Sequence, residues 1–242
     1  MGPDPSLGPP MPAPRDHGWW PYLGPYGLFL VLVELGSRVP DEWVGVFRVL
    51  RVALPGLWIA SAIAQGRLPE LRGYRPGASG LLRDVACGLV IAALWMGPYL
   101  LVPALPRPGP EEGWSPSYFG PGNEAWAWTL RLVGFAVVTP FIEELFVRSF
   151  LLRLVDVIDT GMDFRKVPIA RFAWRSFLVT VVWFTFTHVR WEWPVAVVAG
   201  VLFNLWLYRR RHIGAVIVAH AAANGAIWLA VALGPDAWRV FL

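Results

Sequence analysis

Charge and sulfur are both scarce in this chain. Only 16% of its 242 residues are charged, against about 25% in an ordinary soluble domain. Cys87 is the single cysteine, which excludes an internal disulfide and any multi-thiolate metal site. Its place in an apolar run marks it as a packing residue. Lys166 is the only lysine, and no His-Glu-x-x-His occurs. The N-terminal stretch has neither a basic region nor an apolar one, so no signal peptide is expected there. Residues 1–18 carry six prolines and read as a disordered tail that cannot bury enough to order itself. Met1-Gly2 with Ser6 matches a myristoylation pattern only in letter, and Pro3 and Asp4 speak against it. The formal charge is +4, but the arginines occupy connections between apolar runs rather than one basic domain. No nucleic-acid partner is expected.

Apolar residues are abundant, at 56%, and Trp is frequent, at 15 residues. Many tryptophans sit near the ends of long apolar runs, as in the aromatic belts of a bilayer interface. Seven runs stand out: 19–35, 43–64, 84–105, 125–152, 176–188, 194–208 and 213–233. None alternates polar and apolar residues as a barrel strand does. A lipid-exposed span must satisfy its backbone internally, so the runs are expected to be helices. The fold class is therefore all-α, a polytopic membrane bundle of about seven transmembrane helices. Residues 19–242 form one transmembrane domain, with the candidate site in 125–233.

Arginine placement orients the chain. The second connection holds Arg67, Arg72, Arg75 and Arg83, the fourth Arg153, Arg165, Lys166, Arg171 and Arg175, and the sixth Arg209, Arg210 and Arg211. If every run spans, these fall on one side. That side is expected to be the cytoplasm of a bacterial inner membrane, with the N-terminus inside. Between Arg175 and Arg209 each leg has only about 17 residues, the short limit for a span. The turn at 188–194 is therefore expected within the membrane, lining a wet cavity.

Ionisable groups inside such runs are expensive and default to function. Glu143 and Glu144 sit together well inside the fourth run. Adjacent helical positions diverge, so the two acids are not expected to face one partner. Arg148 lies one turn after Glu144 and should pair with it, which leaves Glu143 for proton transfer. His188 ends the fifth run. His220 and Asn224 lie four apart on one face of the seventh, among small residues that leave room for a ligand. His212 follows three arginines and reads as a solvated loop residue; His17 lies in the tail. Glu34, Asp84 and Glu192 lie near helix ends, with water in reach. Ala196 and Gly200 read as a packing surface.

The order Glu-Glu-x-x-x-Arg, Phe-x-x-x-His, His-x-x-x-Asn, from Glu143 to Asn224, resembles the CPBP family of membrane proteases related to type II CAAX prenyl endopeptidases. The stretches 143–153 and 203–209 resemble a narrower bacterial subgroup, the CAAX prenyl protease-related proteins found with exosortase systems. The resemblance implies that Glu143 activates a water and His188 helps to position it. It implies that His220 and Asn224 hold the oxyanion, supported by Glu144 and Arg148. It further implies a membrane-anchored or lipidated protein as substrate, prenylated or not. No obligatory cofactor is expected. Zn²⁺ on Glu143, His188 and His220 is the competing arrangement, since one carboxylate and two imidazoles make a three-ligand set with an open position. Two other readings use the same residues: a proton-coupled transporter and a non-catalytic scaffold or immunity-type protein. Transporters commonly repeat their halves, whereas the ionisable groups here cluster in the C-terminal half.

Overall fold

The computed structural model describes residues 18–102 and 104–242. Nearly all of the predicted tail, His17 included, lies outside them. The described residues are all-helical, without a strand. Each of the seven apolar runs forms a helix. α1 is Trp20–Gly36, α2 Asp41–Ala64 and α3 Gly77–Leu101. An unbroken helix then covers 124–155. It comprises α4 (Glu124–Leu132), a π-helical stretch Val133–Val138, α5 (Thr139–Glu143), a second π-helical stretch Glu144–Leu151, and α6 (Leu152–Val155). α7 is Trp174–Phe186, α8 Trp193–Arg210 and α9 Ile213–Leu233. Four helical segments among the described residues are long and apolar enough to cross a membrane: Asp41–Ala64, Gly77–Leu101, Arg190–Arg210 and Ile213–Leu233. α7 is shorter, at 13 residues.

Leu82, Val90, Leu101 and Leu233 face outward, each more than half exposed. Water would penalise an apolar surface of this extent, and acyl chains accept it. Helices in lipid associate through close packing and hydrogen bonds, because apolar burial between them brings little. Gly88 shows the closeness reached here: a Cβ on it would collide with the Ala219 carbonyl oxygen of α9. Gly200 brings α8 against Val181 and Phe184 of α7, as the small-residue surface predicted. Tyr26 of α1 stacks on Phe146, with ring centroids 3.9 Å apart.

The second, fourth and sixth connections meet at one end of the bundle. Glu70 pairs with Arg153 at 3.2 Å and accepts a hydrogen bond from Ser149. Asp84 is fully buried and accepts from Tyr74, from Trp206 Nε1 at 3.0 Å and from Arg210 Nε at 2.7 Å. Burial first, and then the bond to Asp84, hold the Tyr74 phenol above its ordinary pKa range. Two expectations are corrected at this end. Asp84 needs no water, because three donors from α8 and the second connection satisfy it. His212 is a cap rather than a free loop residue. Its Nδ1 accepts from Gly214 N at 3.0 Å at the start of α9, and its Nε2 donates to Arg72 O at 3.1 Å.

The third and fifth connections and the C-terminal segment meet at the opposite end. Tyr99 donates to Trp191 O, and Trp114 N donates to Arg239 O at 3.1 Å. The candidate site opens at this end.

Candidate active site

The long helix carries the two acids, and its geometry departs from a regular α-helix on both sides of them. Pro140 lacks an N–H. Thr139 N bonds back to Gly134 O, so the turn is widened. In that wider ladder the next carbonyl, Phe135 O, would need the N–H of residue 140. Asn224 of α9 supplies the missing donor: its Nδ2 lies 2.7 Å from Phe135 O. The second π-helical stretch starts at Glu144. Such widened turns recur at functional sites.

The widening overturns one expectation. Glu143 and Glu144 do face one partner. Glu144 Oε1 lies 2.7 Å from His220 Nδ1, and Glu143 Oε2 lies 3.9 Å from His220 Nε2. An α-helix holds successive side chains about 100° apart, and the wider turn narrows that angle. The imidazole also offers a nitrogen on each edge, so two acids can flank it without overlapping.

Glu144 is further held by Arg148, at 3.1 Å, as the spacing predicted, and both are 0% exposed. Arg148 Nε donates to Asn204 Oδ1 at 3.3 Å, and Asn204 Nδ2 donates to Thr180 Oγ1 at 2.9 Å. The guanidinium lies over the rings of Phe184, at 4.5 Å, and Phe203, at 5.3 Å. Phe203 also packs against His220, with ring centroids 4.7 Å apart. The buried charge thus has a counter-charge, a hydrogen-bond chain into α7 and α8, and two aromatic faces.

Partners fix the tautomers of the histidines. His188 Nδ1 lies 2.6 Å from Phe184 O. A carbonyl only accepts, so Nδ1 carries the proton and Nε2 presents a lone pair. In His220, Nδ1–H donates to Glu144, and Nε2 faces Glu143. Glu143 Oε2 is buried and has no hydrogen-bond partner among the described residues. The gap of 3.9 Å between Glu143 and His220 is too long for a direct bond and suits a bridging water.

A cavity of about 540 Å³ brings these groups together. Glu143, His188, His220 and Asn224 line its wall, with Trp95, Phe184 and Phe203 as apolar lining. Glu144 and Arg148 stand behind that wall. The six residues singled out from the sequence therefore converge. Two further wall residues were not. Glu192 lines the cavity and accepts from Trp95 Nε1 at 3.3 Å, instead of standing in water at a helix end. Arg131 lines it from α4. A charged residue close to an apolar run was the only sequence signal for either, and it does not tell a cavity from a membrane surface.

Residues 125–226 match the family model described as Type II CAAX prenyl endopeptidase Rce1-like.

The Rce1-like stretch contains all six residues and begins at α4. It leaves out α1, α2 and α3. No curated protein and no solved structure matches the chain. Among the described residues, no group of three or more His, Cys, Asp and Glu side chains has a metal-holding arrangement. As they stand, Glu143, His188 and His220 do not form a three-ligand zinc set.

Proposed function

We propose that the chain is an intramembrane endopeptidase. It would hydrolyse a peptide bond near the C-terminus of a membrane-associated protein, prenylated, otherwise lipidated or simply anchored. One observation carries the reading. Glu143 places a buried carboxylate oxygen without a hydrogen-bond partner on a cavity wall, a water's width from an imidazole that Glu144 holds. The Rce1-like match supports the protease class.

In this mechanism Glu143 takes a proton from the attacking water as general base. The lone pair on His188 Nε2 accepts the water's other hydrogen and aims it. Attack on the carbonyl carbon develops an oxyanion. His220 Nε2 takes that proton over from Glu143 and donates it to the oxyanion, while Glu144 stabilises the imidazolium through Nδ1. Asn224 spends one N–H on Phe135 O and has a second for the oxyanion. Loss of one such donor typically costs about 10²–10³ in rate. The same proton passes back through Glu143 to the leaving nitrogen. Arg148 neutralises Glu144 and positions it. These steps need no metal, so a chelator should leave the rate unchanged. A loss reversed by Zn²⁺ would turn Glu143, His188 and His220 into ligands instead.

The arginine-rich second, fourth and sixth connections face the cytoplasm of a bacterial inner membrane in this proposal, with the N-terminus inside. The cavity then opens on the opposite face, and the substrate's end is reached from there. On the stretches 143–153 and 203–209, the proposal extends to the exosortase-associated subgroup.

The test compares the C-termini of membrane proteins in cells carrying the wild-type chain or Glu143→Gln. A shortened C-terminus present only with wild type is the expected result. Identical C-termini in both, with the chain present in the membrane, would end the reading.

A further inference from the structure

A second hollow, of about 210 Å³, lies beside the first. The two share part of their walls, including Arg131, Glu143, Thr187 and His188. Arg48 and Arg51 of α2 also line the smaller one. They stand three apart on one helix face, and all three arginines are half-buried.

These cations differ from Arg148, Arg153 and Arg210, each of which has a carboxylate partner. Among the described residues, no ion pair or hydrogen bond engages the guanidinium of Arg48, Arg51 or Arg131. Their contacts are aromatic. Arg48 lies over Tyr118 at 4.4 Å, and Arg131 over Phe135 at 5.1 Å. The Nε atoms of Arg48 and Arg131 are buried without a partner. Of the nearby acids, Glu143 is turned to His220, Glu192 accepts from Trp95, and Glu112 lines only the larger cavity. Cations gathered in a medium of low dielectric, with no carboxylate bonded to them, are costly unless an anion joins them. The guanidinium fork suits a planar carboxylate in particular. The volume is below that of pockets for drug-sized ligands and suits the end of a chain.

We propose that this hollow seats the free C-terminal carboxylate of the substrate. Glu143 and His188, at the junction of the two hollows, then act on a peptide bond upstream. The larger cavity takes the body of the substrate. Recognition of the terminal carboxylate makes the enzyme count from the chain end. This inference rests on the peptidase reading and names the feature by which its substrate is selected.

The experiment measures binding and requires no hydrolysis. The full chain carrying Glu143→Gln, in detergent micelles, is titrated with fluorescein-labelled Ala-Val-Ile-Ala bearing a free C-terminal carboxylate. The same peptide with a C-terminal amide is titrated in parallel. The free acid is expected to bind at least about tenfold more tightly, as one charge-assisted contact allows. Adding Arg51→Gln or Arg131→Gln should collapse that ratio toward one, while Arg131→Lys retains part of it. A ratio of affinities does not depend on the fraction of protein that folds, so a poorly folding variant still reports. Equal binding of acid and amide overturns the proposal. So does an acid preference that survives loss of the arginines. Arginine-dependent retention of phosphatidylglycerol through purification, with no acid–amide difference, overturns it in favour of a lipid phosphate. A chain that cleaves its substrate yet ignores the carboxylate refutes this inference alone. A carboxylate preference in a chain that cleaves nothing refutes the peptidase reading alone.

Discussion

The two ends of this bundle treat buried charge differently. At the end formed by the second, fourth and sixth connections, two buried carboxylates come with partners, and a third, Asp156, has none among the described residues. Asp84 has Tyr74, Trp206 and Arg210, and Glu70 has Arg153 and Ser149. At the opposite end Glu143 Oε2 and the Nε atoms of Arg48 and Arg131 are buried without partners among the described residues. Both ends carry the desolvation cost of ions in a low-dielectric setting. At Asp84 and Glu70 it is offset within the chain. The difference teaches how to tell a structural ion from a functional one. A structural ion has its counter-charge on a neighbouring helix, whereas a functional one faces a cavity and is completed by what enters. At adjacent positions one oxygen of each acid lacks a partner, but Glu144 has Arg148 one turn along its own helix, whereas Glu143 is turned to the cavity.

Three substitutions sharpen that comparison. The largest effect is expected from Arg148→Ala, which leaves Glu144 fully buried beside no cation. Breaking such a pair costs about 3–5 kcal/mol, so yield and the unfolding midpoint in detergent should both fall. An unchanged midpoint would mean that Glu144 does not need its counter-charge. Next comes Asp84→Asn at the closed end. Arg210 keeps some access to water, with 20% of its side chain exposed, so a smaller loss of about 1–3 kcal/mol is expected. The acid–amide binding ratio at the other end should not move. A shift in that ratio would show that the two ends are not independent. The smallest effect is expected from His212→Ala, which removes the cap of α9 and costs about 1 kcal/mol. Amide hydrogen exchange should rise in the first turn of α9, near Gly214, and not at Asn224. Faster exchange along the whole helix would contradict a local cap.

Much of this arrangement was legible along the chain. The seventh apolar run, 213–233, coincides with α9, and the Glu144–Arg148 pair follows from helical spacing. The six motif residues were named from three short motifs in separate helices. What escaped was non-local or finer than a helical repeat. Nothing in the spacing of Arg48, Arg51 and Arg131 shows that α2 and α4 bring them to one hollow. Asp84 read as a helix-end residue because its partners on α8 lie more than a hundred positions away. The double approach of Glu143 and Glu144 to His220 depends on the π-helical widening, which a count by 3.6 residues per turn cannot register. Pro140 was its visible sign, because a proline inside a helix must leave a carbonyl in need of another donor.

The central claim is that Glu143 is held ready for chemistry and not for stability. Cleavage by purified Glu143→Gln, compared with wild type at equal folded fraction, tests it most directly. The account predicts a loss of at least about a hundredfold, within the range of a removed general base, with the unfolding midpoint unchanged or raised. Cleavage at the wild-type rate would contradict it, and so would a drop in midpoint like that of Arg148→Ala.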